Sequence, residues 1–171
     1  MKKIILITII LIAFGWKGYS QIHYFGKVET GYLIFQYTTV QVDSGPDWKG
    51  YHLNEEQNGF DLNLINGVSF KNKFFTGLGI GYLNFEGING FSIFMDLEYL
   101  PLKTKLTPLI NLKIGYNHIW NQYENGTGSS ILELGGGVNY KITEKFDIYM
   151  QSGLMITQQA LLIPIKIGLR F

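Results

Sequence analysis

Histidine and serine are where catalysis would have to start in this chain of 171 residues, because it contains no cysteine. The three histidines stand at positions 23, 52 and 118, a spacing that matches no metal-ligand motif, and no thiolate is available to complete a zinc site. His118 is the one candidate base: Ser129 or Ser130 would be its nucleophile and Glu124 would orient the imidazole, the residue types of an acyl-transfer site. A close His-x-Ser pair is missing, since Trp120 occupies the second place after His118. A histidine at an interface explains the same position without chemistry. The glycine run 135–137 lacks the following helix and basic residue of a phosphate loop, and Asn125-Gly126-Thr127, though it fits a glycosylation sequon, is most simply a turn. No catalytic residue, cofactor or metal is assigned on these grounds.

A second group of ionisable residues is more informative, because its members keep one parity within alternating runs. Lys27, Glu29, Asp61, Asp96, Glu98, Lys113, Glu133, Asp147, Lys166 and Arg170 stand mostly between apolar neighbours. A period of two puts alternate side chains on opposite faces of a strand, so the charged set shares one face of a sheet and the Leu, Ile, Val and aromatic set shares the other. If the sheet closes around the charged face, unpaired charges there are costly and the two signs must pair, with Lys113 expected near Asp96 across the fourth and fifth strands. Such an interior network is expected to fill space rather than to catalyse.

The elements that would hold these residues are legible along the whole chain. The run 161–171 alternates most cleanly: Leu161, Ile163, Ile165, Ile167, Leu169 and Phe171 fall on one face, and Leu162, Pro164, Lys166, Gly168 and Arg170 on the other. Seven further runs, at 23–39, 59–70, 74–85, 91–100, 108–120, 130–141 and 146–157, show the same pattern. Glycines 77, 79 and 81 in the third would make room for bulky inward neighbours. Short connections carrying lysine, at 71–73, 101–106 and 142–145, alternate with connections richer in Gly, Asn and acids at 39–58, 86–90 and 121–129. Asn66-Gly67 favours a hairpin turn, but the outward pattern continues across it and the second strand is expected unbroken. Short turns on one side and longer loops on the other predict an all-β fold, an eight-stranded antiparallel up-and-down transmembrane β-barrel with both termini on the short-turn side. Eight strands enclose room for side chains or one small ligand, so an open aqueous pore is not expected. Two aromatic girdles are expected, one of Tyr24, Phe70, Phe74, Phe75, Tyr99, Tyr140, Phe146 and Phe171, the other of Phe60, Tyr82, Phe85, Phe91, Tyr116 and Trp120.

The start of the chain sets the compartment. Met1, Lys2 and Lys3 are followed by the apolar run 4–14 and by Gly18-Tyr19-Ser20, small residues at the −3 and −1 positions of a cleavage site. Residues 1–20 read as a secretory signal peptide and 21–171 as one barrel domain. The leader takes three of the 14 Lys and Arg and none of the 13 Asp and Glu, which leaves 11 against 13 and a net charge near −2. No basic excess remains to suggest a nucleic-acid partner.

A last strand that stops on an aromatic residue resembles the closing segment of Gram-negative outer-membrane barrels. With eight strands, the whole mature chain resembles the small outer-membrane barrel family typified by OmpX and the membrane domain of OmpA. That resemblance implies residence in the cell outer membrane, the lipid bilayer as surroundings, the barrel assembly machinery and periplasmic chaperones as biogenesis partners, and Phe171 as the assembly signal. It implies adhesion, envelope integrity or another surface role, and some barrels of this size are lipid A-modifying enzymes with a Ser/His pair at the rim. Two alternatives therefore stand beside the surface role: such a rim enzyme, and a secreted lipocalin-like barrel, which would need an apolar interior and a polar exterior. The inward set reads as polar, against the second. The connection 39–58 is the candidate interaction loop, because it sets Trp48 and Tyr51 among Asp43, Asp47, Glu55 and Glu56, a surface suited to an extracellular protein or glycan.

Overall fold

The structure, a computed structural model, describes residues 22–39, 57–120 and 126–171. The expected leader at 1–20, the bulk of the candidate interaction loop at 40–56, and residues 121–125 lie outside the described residues. Within them the strands are β1 (Ile22–Thr38), β2 (Gly59–Phe70), β3 (Phe74–Phe85), β4 (Ile88–Tyr99), β5 (Leu106–Trp120), β6 (Thr127–Lys141), β7 (Asp147–Thr157) and β8 (Ala160–Arg170). Each pairs antiparallel with its neighbour in sequence, and β8 pairs back onto β1 to close an eight-stranded barrel. Closure satisfies the backbone donors and acceptors that an open sheet would leave at its edges, the condition for a sheet to enter hydrocarbon.

The seam runs from Lys27 opposite Arg170 to Thr38 opposite Ala160, with an irregularity between Phe35 and Tyr37. Phe171 extends it: its N–H donates to the Gly26 carbonyl at 2.9 Å, and the Gly26 N–H donates to the Phe171 carbonyl at 2.7 Å. The β7–β8 pairs are interrupted between Ser152/Ile165 and Met155/Leu162, where Pro164 has no N–H to give.

Turn chemistry accounts for the difference between expected and observed strand ends. Glu86 (φ 48°) and Gly87 (φ 91°) are both left-handed, as are Gln158 (φ 49°) and Gln159 (φ 57°), so each pair closes a two-residue hairpin whose twist suits the flanking strands. The connection expected at 86–90 therefore contracts to two residues, and β4 begins at Ile88 instead of Phe91. Asn66-Gly67 makes no turn; they pair with Leu78 and Gly77 inside the β2–β3 ladder. Gly67 is there for closeness, since a Cβ on it would lie 2.6 Å from the Gly77 Cα.

The two faces sort largely as the parity requires. Leu62, Leu64, Leu78, Ile80, Ile93, Ile114, Leu134, Leu154, Ile165 and Ile167 are exposed on the outside, and the charged set is buried inside, with Asp147 half-buried at the end of β7. Two expectations need correction. Phe75 and Phe85 belong to no girdle; both are buried in the lumen, because they share the parity of glycines 77, 79 and 81. The interior is not simply polar. Leu33, Phe35, Leu83, Phe85, Ile119, Ile131, Met155, Ala160 and Leu162 form an apolar cluster at the loop end, and Phe25, Ile65, Phe75, Phe94, Leu100, Leu109 and Tyr149 form a second toward the turn end. The inward glycines admit this second set, for a Cβ on Gly79 would sit 2.5 Å from the Phe94 ring.

Candidate functional site

The lumen holds two groups of charges, each positioned by strand parity. The central group joins Lys113 on β5 and Lys166 on β8 to Glu29 on β1, Asp61 on β2 and Glu133 on β6. Lys166 Nζ lies 2.7 Å from Glu133 Oε2, 2.8 Å from Asp61 Oδ2 and 3.6 Å from Glu29 Oε1. Lys113 pairs directly with Glu29 and stands 3.6 Å from Glu133. Glu29 also accepts hydrogen bonds from the Tyr149 hydroxyl at 3.0 Å, from Gln151 at 3.1 Å and from Asn63 at 3.2 Å. A carboxylate with that many donors is the hub of the interior.

The second group lies nearer the turn end. Lys27 Nζ is 2.7 Å from Asp96 Oδ2 and 2.8 Å from Glu98 Oε2. Arg170 pairs with Glu98 and, at 3.2 Å, with Asp147, while its guanidinium carbon lies 4.0 Å from the centre of the Phe75 ring. Lys27, Glu29, Asp96, Glu98, Lys113, Glu133, Lys166 and Arg170 thus lie in one lumen together with Asp61, with Asp147 half-buried beside Arg170. Lys113 and Asp96 stand opposite in register across β4 and β5, as expected, but their closest partners lie elsewhere: Lys113 reaches Glu29 across the barrel, and Asp96 takes Lys27 and Asn111. A lysine stem spans a small lumen as easily as it spans two adjacent strands.

Little space is left between these groups. A cavity of ≈ 10 Å³, about the size of one water, lies among Asp61, Asn63, Ser92, Lys113, Glu133 and Lys166. What the arrangement does chemically is hold charges in fixed pairs.

The residues of the acyl-transfer constellation are separated. Ser129 accepts from the Gln158 N–H at 3.0 Å, within a group in which Gln158 Nε2 donates to Asn117 Oδ1 and Asn117 Nδ2 donates to Thr157 Oγ1, each at 2.7 Å. His118 is on the other face of the sheet, edge-on to the Trp120 ring at 5.3 Å. Ser130 shares the outward face but stands opposite Tyr116 in register, and Glu124 lies outside the described residues. Among the described residues no group of three His, Asp or Glu is arranged to hold a metal ion. Trp48, Tyr51, Asp43, Asp47, Glu55 and Glu56 lie outside the described residues, though the base of their loop is anchored: Asn58 Oδ1 accepts from the Phe35 N–H at 3.0 Å.

At the turn end the outward aromatic rings contact one another and the lysines of the short connections. Phe74 stacks on Tyr99 at 4.5 Å, Phe146 and Phe171 approach to 6.2 Å, and lysines lean over outward rings, Lys71 over Phe70 at 5.0 Å and Lys105 over Tyr140 at 5.1 Å. Aromatic bodies with cationic tips suit a headgroup layer.

No family profile and no curated protein sequence matches the chain. Solved structures do. Neisserial surface protein A (NspA) aligns over 87% of this chain and 97% of its own, with a TM-score of 0.62 and 11% identity. A de novo designed transmembrane β-barrel covers 86% of this chain and 94% of its own at TM-score 0.48 and 16% identity; Ail, the attachment invasion locus protein of Yersinia pestis, covers 88% and 98% at 0.42 and 14%. The chain has the fold of the small eight-stranded outer-membrane barrels.

Proposed function

We propose that the protein is an outer-membrane barrel with a closed interior that serves as a rigid scaffold, presenting the segment 40–56 to an extracellular protein or glycan. The observation that carries the membrane reading is the inversion of faces: apolar side chains cover the outside while ten ionisable residues sit in the lumen or at its rim. A water-soluble barrel such as a lipocalin would need the reverse. Two apolar clusters and paired charges favour a closed lumen over a conducting one. The barrel of similar fold with the higher TM-score is, by its name, a surface protein. In this reading Phe171 is the signal for the barrel assembly machinery, handed over by periplasmic chaperones. Ser129 points to the opposite face from His118, and Ser130, though on the same face, is paired in register with Tyr116 and not with His118, which favours a surface role over a rim acyltransferase.

Replacing residues 40–56 by Asn-Gly, with Asn58 kept, is expected to leave a heat-modifiable barrel of unchanged stability. Binding of cells to host protein or glycan arrays should fall roughly thirtyfold or more, the size expected when aromatic anchors worth about 2 kcal/mol are removed. Full binding by the shortened protein would end the loop hypothesis.

A further inference from the structure

We propose that the wall formed by β2 to β5 carries a site for one anionic phospholipid of the periplasmic leaflet. The site rests on the membrane-spanning reading, with the turn end in the periplasm. An apolar groove of ≈ 410 Å³ is cut into this wall, lined by Val68, Phe70, Phe74, Thr76, Leu97 and Leu112 among others. Its volume is in the range of about 300–1,000 Å³ typical of small-ligand sites. The groove has a local cause. Thr76 is the short outward side chain between Phe74 and Leu78 along β3, and its cross-strand partners are Val68 and Leu97, so a gap opens where the rest of the wall has Leu, Ile or an aromatic ring.

The mouth of the groove is cationic. Lys71 Nζ lies 5.0 Å from the centre of the Phe70 ring, which itself lines the groove. Lys73 Nζ donates to the Pro101 carbonyl at 2.9 Å, and the Leu100 N–H donates to the Lys73 carbonyl at 2.8 Å, so the β2–β3 turn is tied to the segment that carries Lys103. Between Phe70 and Phe74, and between Leu100 and Leu106, there is no acidic residue beside Lys71, Lys73, Lys103 and Lys105, and the one carboxylate that lines the groove, Glu98, is paired in the lumen with Lys27 and Arg170. The described connections at the loop end carry Glu86 and no lysine. An acyl chain lying over Thr76 places a lipid phosphate toward Lys71 and the tied segment that carries Lys103, where a zwitterionic headgroup gains less than an anionic one.

The test uses the full mature chain refolded into phosphatidylcholine vesicles containing spin-labelled phosphatidylglycerol or spin-labelled phosphatidylcholine. Heat-modifiable gel mobility reports insertion, and the motionally restricted fraction reports lipid selection. The inserted wild type should prefer phosphatidylglycerol about fivefold or more, the scale of one engaged lysine near an anionic surface. Lys71→Gln with Lys103→Gln should bring the preference close to unity. Thr76→Trp, which fills the groove, should also lower it, while Ile165→Trp on the far wall should not. Insertion without preference, or a preference untouched by Thr76→Trp, overturns the site and leaves the membrane reading standing. A wild type that fails to insert overturns both.

Discussion

Replacing Lys166 with Met is expected to destabilise the barrel by about 3–5 kcal/mol, the cost of removing one partner from a buried ion pair. The charge count of the central group makes the effect directional. Lys113 and Lys166 face three carboxylates, Glu29, Asp61 and Glu133. Loss of Lys166 leaves one ammonium for all three, in a space with no bulk water to screen them. Loss of a carboxylate charge does the opposite: Glu133→Gln leaves two cations and two anions and keeps a hydrogen-bond acceptor, so it is expected to cost within about 1 kcal/mol. Urea unfolding from lipid vesicles, compared at equal slope, measures both. Similar large losses in the two variants would show that packing, and not charge balance, holds the centre together.

Arginine in place of Leu134 or Ile114 is expected to cost about 2–4 kcal/mol and to reduce insertion sharply, because a guanidinium near the bilayer midplane must drag water or headgroups inward. Leu134 is 58% exposed and Ile114 50%, in the middle reaches of β6 and β5. Leu106 stands at the turn end of β5, and the same substitution there should cost only about 0–1 kcal/mol because the side chain reaches the interface. Folding yield into vesicles and unfolding midpoints give the comparison. A flat response along β5 would contradict a hydrocarbon belt.

The alternation in 161–171 and the parity of the ionisable residues were enough to place nearly every strand and to assign both faces, because a period of two is a local property. What lay beyond the pattern was three-dimensional. Parity puts Gly115 inside, yet gives no hint that a Cβ there would meet Phe94 Cβ at 2.5 Å, so the position has a face but no room. Aromatic residues near strand ends suit a girdle and a lumen equally well, so end position alone puts Phe75 and Phe85 on the wrong face, and the neighbouring inward glycines are the signal that decides. The link of Lys113 to Glu29 joins β5 to β1 across the barrel, a distance in sequence that no spacing encodes. The lysines of the short turns were visible as a composition, but the groove above Lys71 arises from Thr76 and its neighbours on two other strands.

Site-directed spin labelling of β6 tests the central claim most directly, since the chain has no native cysteine to interfere. Single cysteines at the outward positions 130, 132, 134, 136, 138 and 140 would carry nitroxides in vesicle-inserted protein, and collision with oxygen would be compared with collision with a water-soluble nickel chelate. The account predicts that oxygen dominates in the middle of the strand, around 134 and 136, and that the chelate gains toward both ends. Dominance of the chelate at every outward position would show that this face meets water, and the barrel would not be a membrane protein.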